Sequence, residues 1–268
     1  MTFTRKILSS VNRSGSIVSV GLDTDITKIP QFLLKEKDPV FEFNKMIIDE
    51  TYRIAAAYKL NLGFYESFGA RGFESALKTV EYIPAEVLKI GDGKRGDIGN
   101  SSKMYAKAIF EYFNFDAVTV SPYMGKDSIE PFAEYKDKGV FVLCITSNPG
   151  AGDFQKIIDK DGVPLYLRVL EKVNEWNINR NLGVVAGATK PEELIEIKKQ
   201  ANGMPILIPG VGSQGGDLQA VLRKEADEEI LLINSSRGII YASDGKDFHA
   251  AAKEKLTALN LEIEQSRS

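Results

Sequence analysis

Val87-Leu88-Lys89-Ile90-Gly91-Asp92-Gly93-Lys94-Arg95-Gly96-Asp97-Ile98-Gly99 opens as an apolar run and ends abruptly in charge. The apolar part predicts a buried strand over 87–90, and the glycines that follow let the backbone turn sharply. Side chains two apart on an extended strand point the same way, so Asp92 and Lys94 project together, with their bases about 6–7 Å apart. The lysine can then reach the carboxylate. Asp97 lies past the turn and can return to the same site or be offered to a neighbouring subunit. Taken alone, a D-x-K of this kind reads as a solvated, salt-bridged surface turn. The rest of the chain weakens that reading.

The same pattern recurs seven more times. Ile17–Leu22 leads into Asp23, Ala55–Tyr58 into Lys59-Leu60-Asn61, and further β-branched runs cover Ala117–Val120, Val140–Ile145, Gly183–Ala186, Pro205–Ile208 and Ile230–Ile233. Helical patterns separate them at intervals of about 30 residues, the length of one strand-helix unit. A chain of 268 residues fits one large barrel or two small domains. Eight alternating units favour one α/β domain over 1–268, a (β/α)8 TIM barrel with an amphipathic helix at 3–12 across one end. The polar residues after the strands then share the C-terminal face, where such barrels build their sites. They include Asp23, Lys59, Asp92, Lys94, Ser121, Thr146, Ser147, Thr189, the glycine-rich 209–216 and Ser235-Ser236-Arg237. The longest interruption, 148–182, is a candidate cover for part of that face.

Composition removes several classes of function. A net charge of −3 and an isoelectric point near 5.5 argue against a nucleic-acid partner, leaving room for a local phosphate pocket. Cys144, the single cysteine, sits in Val-Phe-Val-Leu-Cys-Ile and reads as a buried structural thiol. The start of the chain lacks a signal-peptide core, and no apolar stretch approaches the ~18 residues of a membrane span. The expectation is a soluble, cytoplasmic protein, so Asn-x-Ser at 12, 100 and 234 carries no glycosylation meaning.

Gly210, Gly212 and Gly215 form a G-x-G-x-x-G between a strand and a helix. A dinucleotide site would need two more strand-helix units and an acidic residue about twenty positions on, where Ser235 and Ser236 stand instead. The loops after strands seven and eight of a barrel commonly hold a phosphate, and Arg237 supplies a cation there; the alternative is a surface arginine in a turn. Gln214 either joins that site or is solvated. With His249 the only histidine, zinc and histidine-based catalysis have nothing to work with, and acid-base work falls to Lys, Asp or Glu. Lys59 is a candidate, against the alternative of a snorkelling lysine. Trp176 and the aromatics around Phe113 read as packing.

Together, Gly21-Leu22-Asp23, Lys59, Asp92-Gly93-Lys94-Arg95-Gly96-Asp97-Ile98, Ser147-Asn148-Pro149-Gly150, Pro209-Gly210-Val211-Gly212-Ser213-Gln214 and Ser236-Arg237-Gly238 resemble the orotidine 5′-phosphate decarboxylase family in its longer bacterial form. The resemblance spans strands one to eight. It implies a homodimeric barrel that converts orotidine 5′-monophosphate to uridine 5′-monophosphate and CO2, in pyrimidine biosynthesis, with no metal and no organic cofactor. It also implies that Lys94 donates a proton to C6, that Asp92 flanks the departing carboxylate, and that Asp97 and Ile98 enter the other subunit's site. Asp23 and Lys59 would then bind ribose hydroxyls and Ser147 the pyrimidine. Gln214, Arg237 and the backbone near Pro209, Gly210 and Ser236 would hold phosphate and base. Many members have proline after the D-I pair and a threonine soon after; Gly99 and Ser101 stand there, leaving Ser101 and Ser102 both open as the hydroxyl contact.

The chemistry fits those residue types. Losing CO2 from C6 leaves a poorly delocalised carbanion, which a fixed cation stabilises as it develops. A carboxylate about 4 Å from an ammonium is worth roughly 4 kcal/mol at an effective dielectric near 20, so Asp92 and Asp97 are expected to keep Lys94 protonated. Asp92 also crowds the substrate carboxylate, a repulsion relieved when CO2 leaves. The nearest rival is a Mg2+-dependent sugar-phosphate decarboxylase or synthase, which shares D-x-K-x-x-D but tends to place a glutamate at the end of strand two. Lys59 stands there and would repel the ion. A non-catalytic nucleotide-monophosphate sensor is a further alternative, although a binder gains nothing from a buried charge network.

Overall fold

The computed structural model describes residues 1–187, 191–210, 222 and 230–267; Thr189 and Gly212 through Gly216, with Gln214 among them, lie outside the described residues. Eight parallel strands close into a barrel in chain order. They are β1 Val18–Gly21, β2 Ala57–Asn61, β3 Leu88–Arg95, β4 Ala117–Val120, β5 Gly139–Ile145, β6 Leu182–Ala186, β7 Ile206–Pro209 and β8 Leu231–Ser235. β8 returns beside β1 through Val18↔Ile233, Ser19↔Asn234 and Val20↔Ser235. The one strand substantially longer than its apolar run is β3. It carries its charged residues along the sheet, with Asn61 of β2 opposite Asp92, so the chain turns only after Arg95.

Both faces of the strands are buried, which is why they read as continuous apolar runs. Residues facing outward, such as Val18, Tyr58, Val118, Val142, Val184 and Ile208, join the surrounding helices in the larger core. Those facing inward, including Ala57, Ile90, Ala117, Phe141, Val185, Leu207 and Leu232, fill the barrel. Helix α1, Phe3–Ser14, closes the N-terminal end with fully buried Phe3 and Ile7. Phe3 meets Phe141 edge to face at 5.6 Å, and a Cβ on Gly139 would stand 2.1 Å from its ring, so glycine opens β5 to make room. Lys6 pairs with buried Asp116, and Arg13 donates to the carbonyls of Tyr52 and Ala55 at 2.8 Å.

Helices follow the strands around the barrel, among them Pro39–Thr51, Ala70–Tyr82, Gly99–Lys107, Lys126–Ala133 and Pro191–Gln200. Asp38 caps the first of these by accepting from Phe41 N–H at 3.2 Å, with Pro39 in the first turn. Within 148–182, the helix Leu165–Trp176 packs on β5 and β6 through buried Leu170 and Val173. It belongs to the outer helical layer. Asn148, at the beginning of that stretch, borders the mouth, and Gln155 accepts from Thr146 N–H there at 2.7 Å. Cys144 is buried and donates to Tyr166 O, and burial pushes its thiol up to about 12. Among the described residues, no helix is long and apolar enough to cross a membrane.

Candidate active site

Inward-facing residues change character one step above the apolar filling. Gly21, Lys59 and Ile90 are register neighbours on β1, β2 and β3, and the next inward position on β3 is Asp92. A row of alternating charge results. Lys59 Nζ lies 3.6 Å from Asp23 Oδ1 and 2.8 Å from Asp92 Oδ2, and Lys94 Nζ lies 2.8 Å from Asp92 Oδ1. Lys59 and Asp92 are buried, whereas the Lys94 side chain is 45% exposed, so its ammonium is both anchored and open to a ligand.

Burial opposes charge on both inner groups, and their partners outweigh it. Asp92 and Asp23 hold the Lys59 ammonium above the ordinary lysine range against desolvation. Desolvation likewise acts against the Asp92 carboxylate, but Lys59 and Lys94 hold its pKa far below the usual carboxylate range. A buried pair deprived of one member leaves an uncompensated charge, at about 3–5 kcal/mol. The row is therefore a unit.

Lys94 meets Asp92 by a route the strand periodicity does not supply. Its φ is +44°, a left-handed conformation that costs a non-glycine residue roughly 1–2 kcal/mol. It lies where β3 slips against β4, between Gly91↔Val118 and Arg95↔Val120. Bulges of this kind re-aim side chains. Thr119 of β4 faces the slip: its hydroxyl accepts from Lys94 N–H at 3.0 Å and donates to Asp92 Oδ1 at 2.8 Å. Thr119 escapes the sequence reading because Ala-Val-Thr-Val looks like plain β-branched strand; its parity with inward Ala117 is the signal that finds it.

Two cavities meet at this row. One, of about 190 Å3, has Leu143, Val185 and Leu207 as an apolar floor and Lys94, Thr119, Thr146 and Asn148 around it. The other, also about 190 Å3, is polar and lined by Asp23, Asn61, Gly210, Asn234, Ser236 and Arg237 among others. Lys59, Asp92, Ser147 and Pro209 line both. Arg237 is exposed, and among the described residues no carboxylate pairs with it. Ser236 packs so closely that a Cβ on Gly21 would stand 1.8 Å from its hydroxyl, which explains glycine at the end of β1. Gly210 has φ +84° as the chain leaves β7, and its N–H donates to Asn234 O at 3.1 Å. Among the described residues, no group of three His, Cys, Asp or Glu could hold a metal ion.

Asp97 and Ile98 stand apart. Neither lines these cavities, and Asp97 Oδ1 accepts only the neighbouring Ile98 N–H, at 2.8 Å, among the described residues. Among the described residues, Asp92 is the one carboxylate that pairs with Lys94. Ile98 is 54% exposed, in a region that also exposes Met104, Tyr105 and Met124. Of the two serines beyond, Ser101 is exposed, while Ser102 is fully buried and donates to Ser128 O at 3.2 Å. Neither lines the cavities.

Comparison with known proteins points to one family and one fold. The model of the orotidine 5′-phosphate decarboxylase / HUMPS family matches residues 17–253. Orotidine 5′-phosphate decarboxylase of Christiangramia forsetii is 49% identical over 265 residues, 97% of this chain and 96% of that protein. The protein of the same name from Flavobacterium johnsoniae is 46% identical over 264 residues, again 97% and 96%. The solved structure of Leishmania donovani OMP decarboxylase superposes with a TM-score of 0.84 at 38% identity, covering 100% of this chain and 99% of that one.

Proposed function

The chain belongs to the orotidine 5′-phosphate decarboxylase / HUMPS family, and from that premise we propose that it decarboxylates orotidine 5′-monophosphate to uridine 5′-monophosphate and CO2. The observation that carries the reading is Lys94, anchored on Asp92 yet open above an apolar floor. A pyrimidine seated on Leu143, Val185 and Leu207 brings C6 and its carboxylate to that ammonium. Ser147 is on hand for the base. Asp23 and Lys59 suit ribose hydroxyls, and the polar cavity with Arg237 suits the phosphate, joined by Gly210, Pro209 and Ser236; Gln214, outside the described residues, keeps only the role that the family resemblance implies.

In this mechanism the C6–carboxylate bond breaks, and its electron pair stays on C6 beside the Lys94 ammonium, which stabilises it and then delivers its proton. Asp92, held ionised by Lys59, disfavours the substrate carboxylate until CO2 leaves. The reaction needs no cofactor. For the sugar-phosphate alternative, Lys59 at the end of β2 is unfavourable, since it sets an ammonium where a divalent cation would sit.

We place Asp97 and Ile98 in the partner's site of a cytoplasmic homodimer. Support comes from their outward position and the exposed apolar residues nearby, a pattern typical of an interaction surface. The test is loss of orotidine 5′-monophosphate absorbance in a chelator-containing assay. Full turnover with EDTA is expected. No loss of absorbance would overturn the reading, and activity that vanishes with EDTA and returns with Mg2+ would overturn its metal independence.

A further inference from the structure

We propose that Thr119 is a positioning residue for the decarboxylation, one hydroxyl fixing both ends of the Asp92–Lys94 pair; the inference rests on the functional reading above. From Gly91 to Arg95 β3 advances four positions while β4 advances two, Val118 to Val120. Asp92, Gly93 and Lys94 therefore stand opposite Thr119 alone. Extra residues break the backbone ladder at that point, and the Lys94 N–H finds the Thr119 hydroxyl at 3.0 Å where a carbonyl would otherwise be needed.

A hydroxyl has one proton to give and lone pairs to accept with. Having accepted from Lys94 N–H, Thr119 points its only proton at Asp92 Oδ1, 2.8 Å away. The same oxygen receives Lys94 Nζ at 2.8 Å. A closed circuit runs from the Lys94 backbone through Thr119 and Asp92 to the Lys94 ammonium, so the lysine is held at both ends in its left-handed conformation. Thr119 is 1% exposed, and a β-branched side chain on a strand has restricted χ1. Neither feature lets the hydroxyl wander. Thr119 also lines the apolar-floored cavity; its contribution to catalysis nonetheless runs through the two charged residues it orients.

The test compares Thr119→Val, Thr119→Ser and Thr119→Ala. Valine keeps the shape and strand preference and removes the oxygen; serine keeps the oxygen. A small displacement of a reacting group can cost about 100-fold, so Thr119→Val is expected to lower kcat by roughly 10- to 100-fold. KM and the dissociation constant for uridine 5′-monophosphate stay near wild type, and Thr119→Ser restores most of kcat. Hydrogen exchange at the Lys94 amide should accelerate in Thr119→Val and stay slow in Thr119→Ser, independently of turnover.

Wild-type kcat in Thr119→Val, or equal loss in the valine and serine variants, would overturn the positioning role. If the valine variant does not fold, the alanine and serine variants, one oxygen apart, make the same comparison: alanine should match the loss and serine the rescue. Wild-type protein that leaves orotidine 5′-monophosphate untouched would instead overturn the functional reading, with the exchange measurement still judging the circuit.

Discussion

The two ends of the barrel interior are built from the same strands and do opposite things. At the N-terminal end Phe3, Ile7, Ala57, Leu88 and Phe141 exclude water completely; at the other, two residues further along β2 and four along β3, stand Lys59 and Asp92. Burying apolar surface gains about 25 cal/mol per Å2, whereas burying charge gains only what pairing returns. One end stabilises the closed sheet, and the other uses that rigidity to hold charges that would not assemble by themselves. In barrels of this type, residues at the bottom therefore serve stability and those at the top serve chemistry.

The hardest test of that division is Lys94→Ala. Turnover should fall at least about 1,000-fold, the scale of a lost acid and charge stabiliser, while the melting temperature moves little and uridine 5′-monophosphate still binds in a calorimetric titration. Residual decarboxylation close to wild type would remove Lys94 from its role. Phe3→Ala is the mirror experiment. It should cost about 3–5 kcal/mol of stability, or roughly 2–4 °C of melting temperature per kcal/mol, with kcat unchanged wherever the protein stays folded. A Phe3 variant that loses kcat at full stability would show that the two ends are coupled.

Much of this contrast is legible in the order of residues alone. Apolar runs on both faces announce the eight strands, and the charges ending the runs after Tyr58 and Ile90 announce the top. What sequence hides is the detail set by tertiary contacts. Thr119 looks like a strand former until the bulge leaves it opposite Lys94. Strand β3 runs through its charges because pairing continues to Asn61↔Asp92, which no hydrophobic pattern marks. Leu165–Trp176 carries an amphipathic pattern whether it covers the mouth or packs on the outside. Only its contacts with β5 and β6 place it in the outer layer.

Linkage gives a smaller, signed effect. The pKa of Asp92 is depressed in the folded protein, so its stabilisation is fully present above the unfolded carboxylate value near 3.9 and is lost as pH falls below it. The raised pKa of Lys59 gives stabilisation present below about 10.4 and lost as pH rises through the folded value. From pH 5 to 9 neither group changes state. The stability difference between wild type and Asp92→Asn should accordingly be flat in that window. Below about pH 4 it should shift against wild type by up to about 1.4 kcal/mol per pH unit, measured by urea unfolding. A slope appearing at pH 5–7 would mean Asp92 is not held ionised by its two lysines.

The last test asks whether the upper end, unlike the lower, is incomplete within one chain. Phe3 plugs its own barrel, whereas Asp97 lies outside the cavities that Lys94 and Asp92 line. If Asp97 serves the partner, Lys94→Ala and Asp97→Ala homodimers are both nearly inactive, since every site carries one lesion. In a mixed dimer one site collects both lesions and the other has none. With random pairing about half the dimers are mixed and one site in each is intact, so roughly a quarter of wild-type activity returns. If Asp97 serves its own chain, every site in the mixture still carries one lesion and nothing returns. Subunits are mixed after dissociation and reassembly, with heterodimers verified by mass. A silent mixture would make the upper end as self-contained as the lower, whereas a quarter of the activity would mean that the apolar end is complete in one chain and the catalytic end only in two.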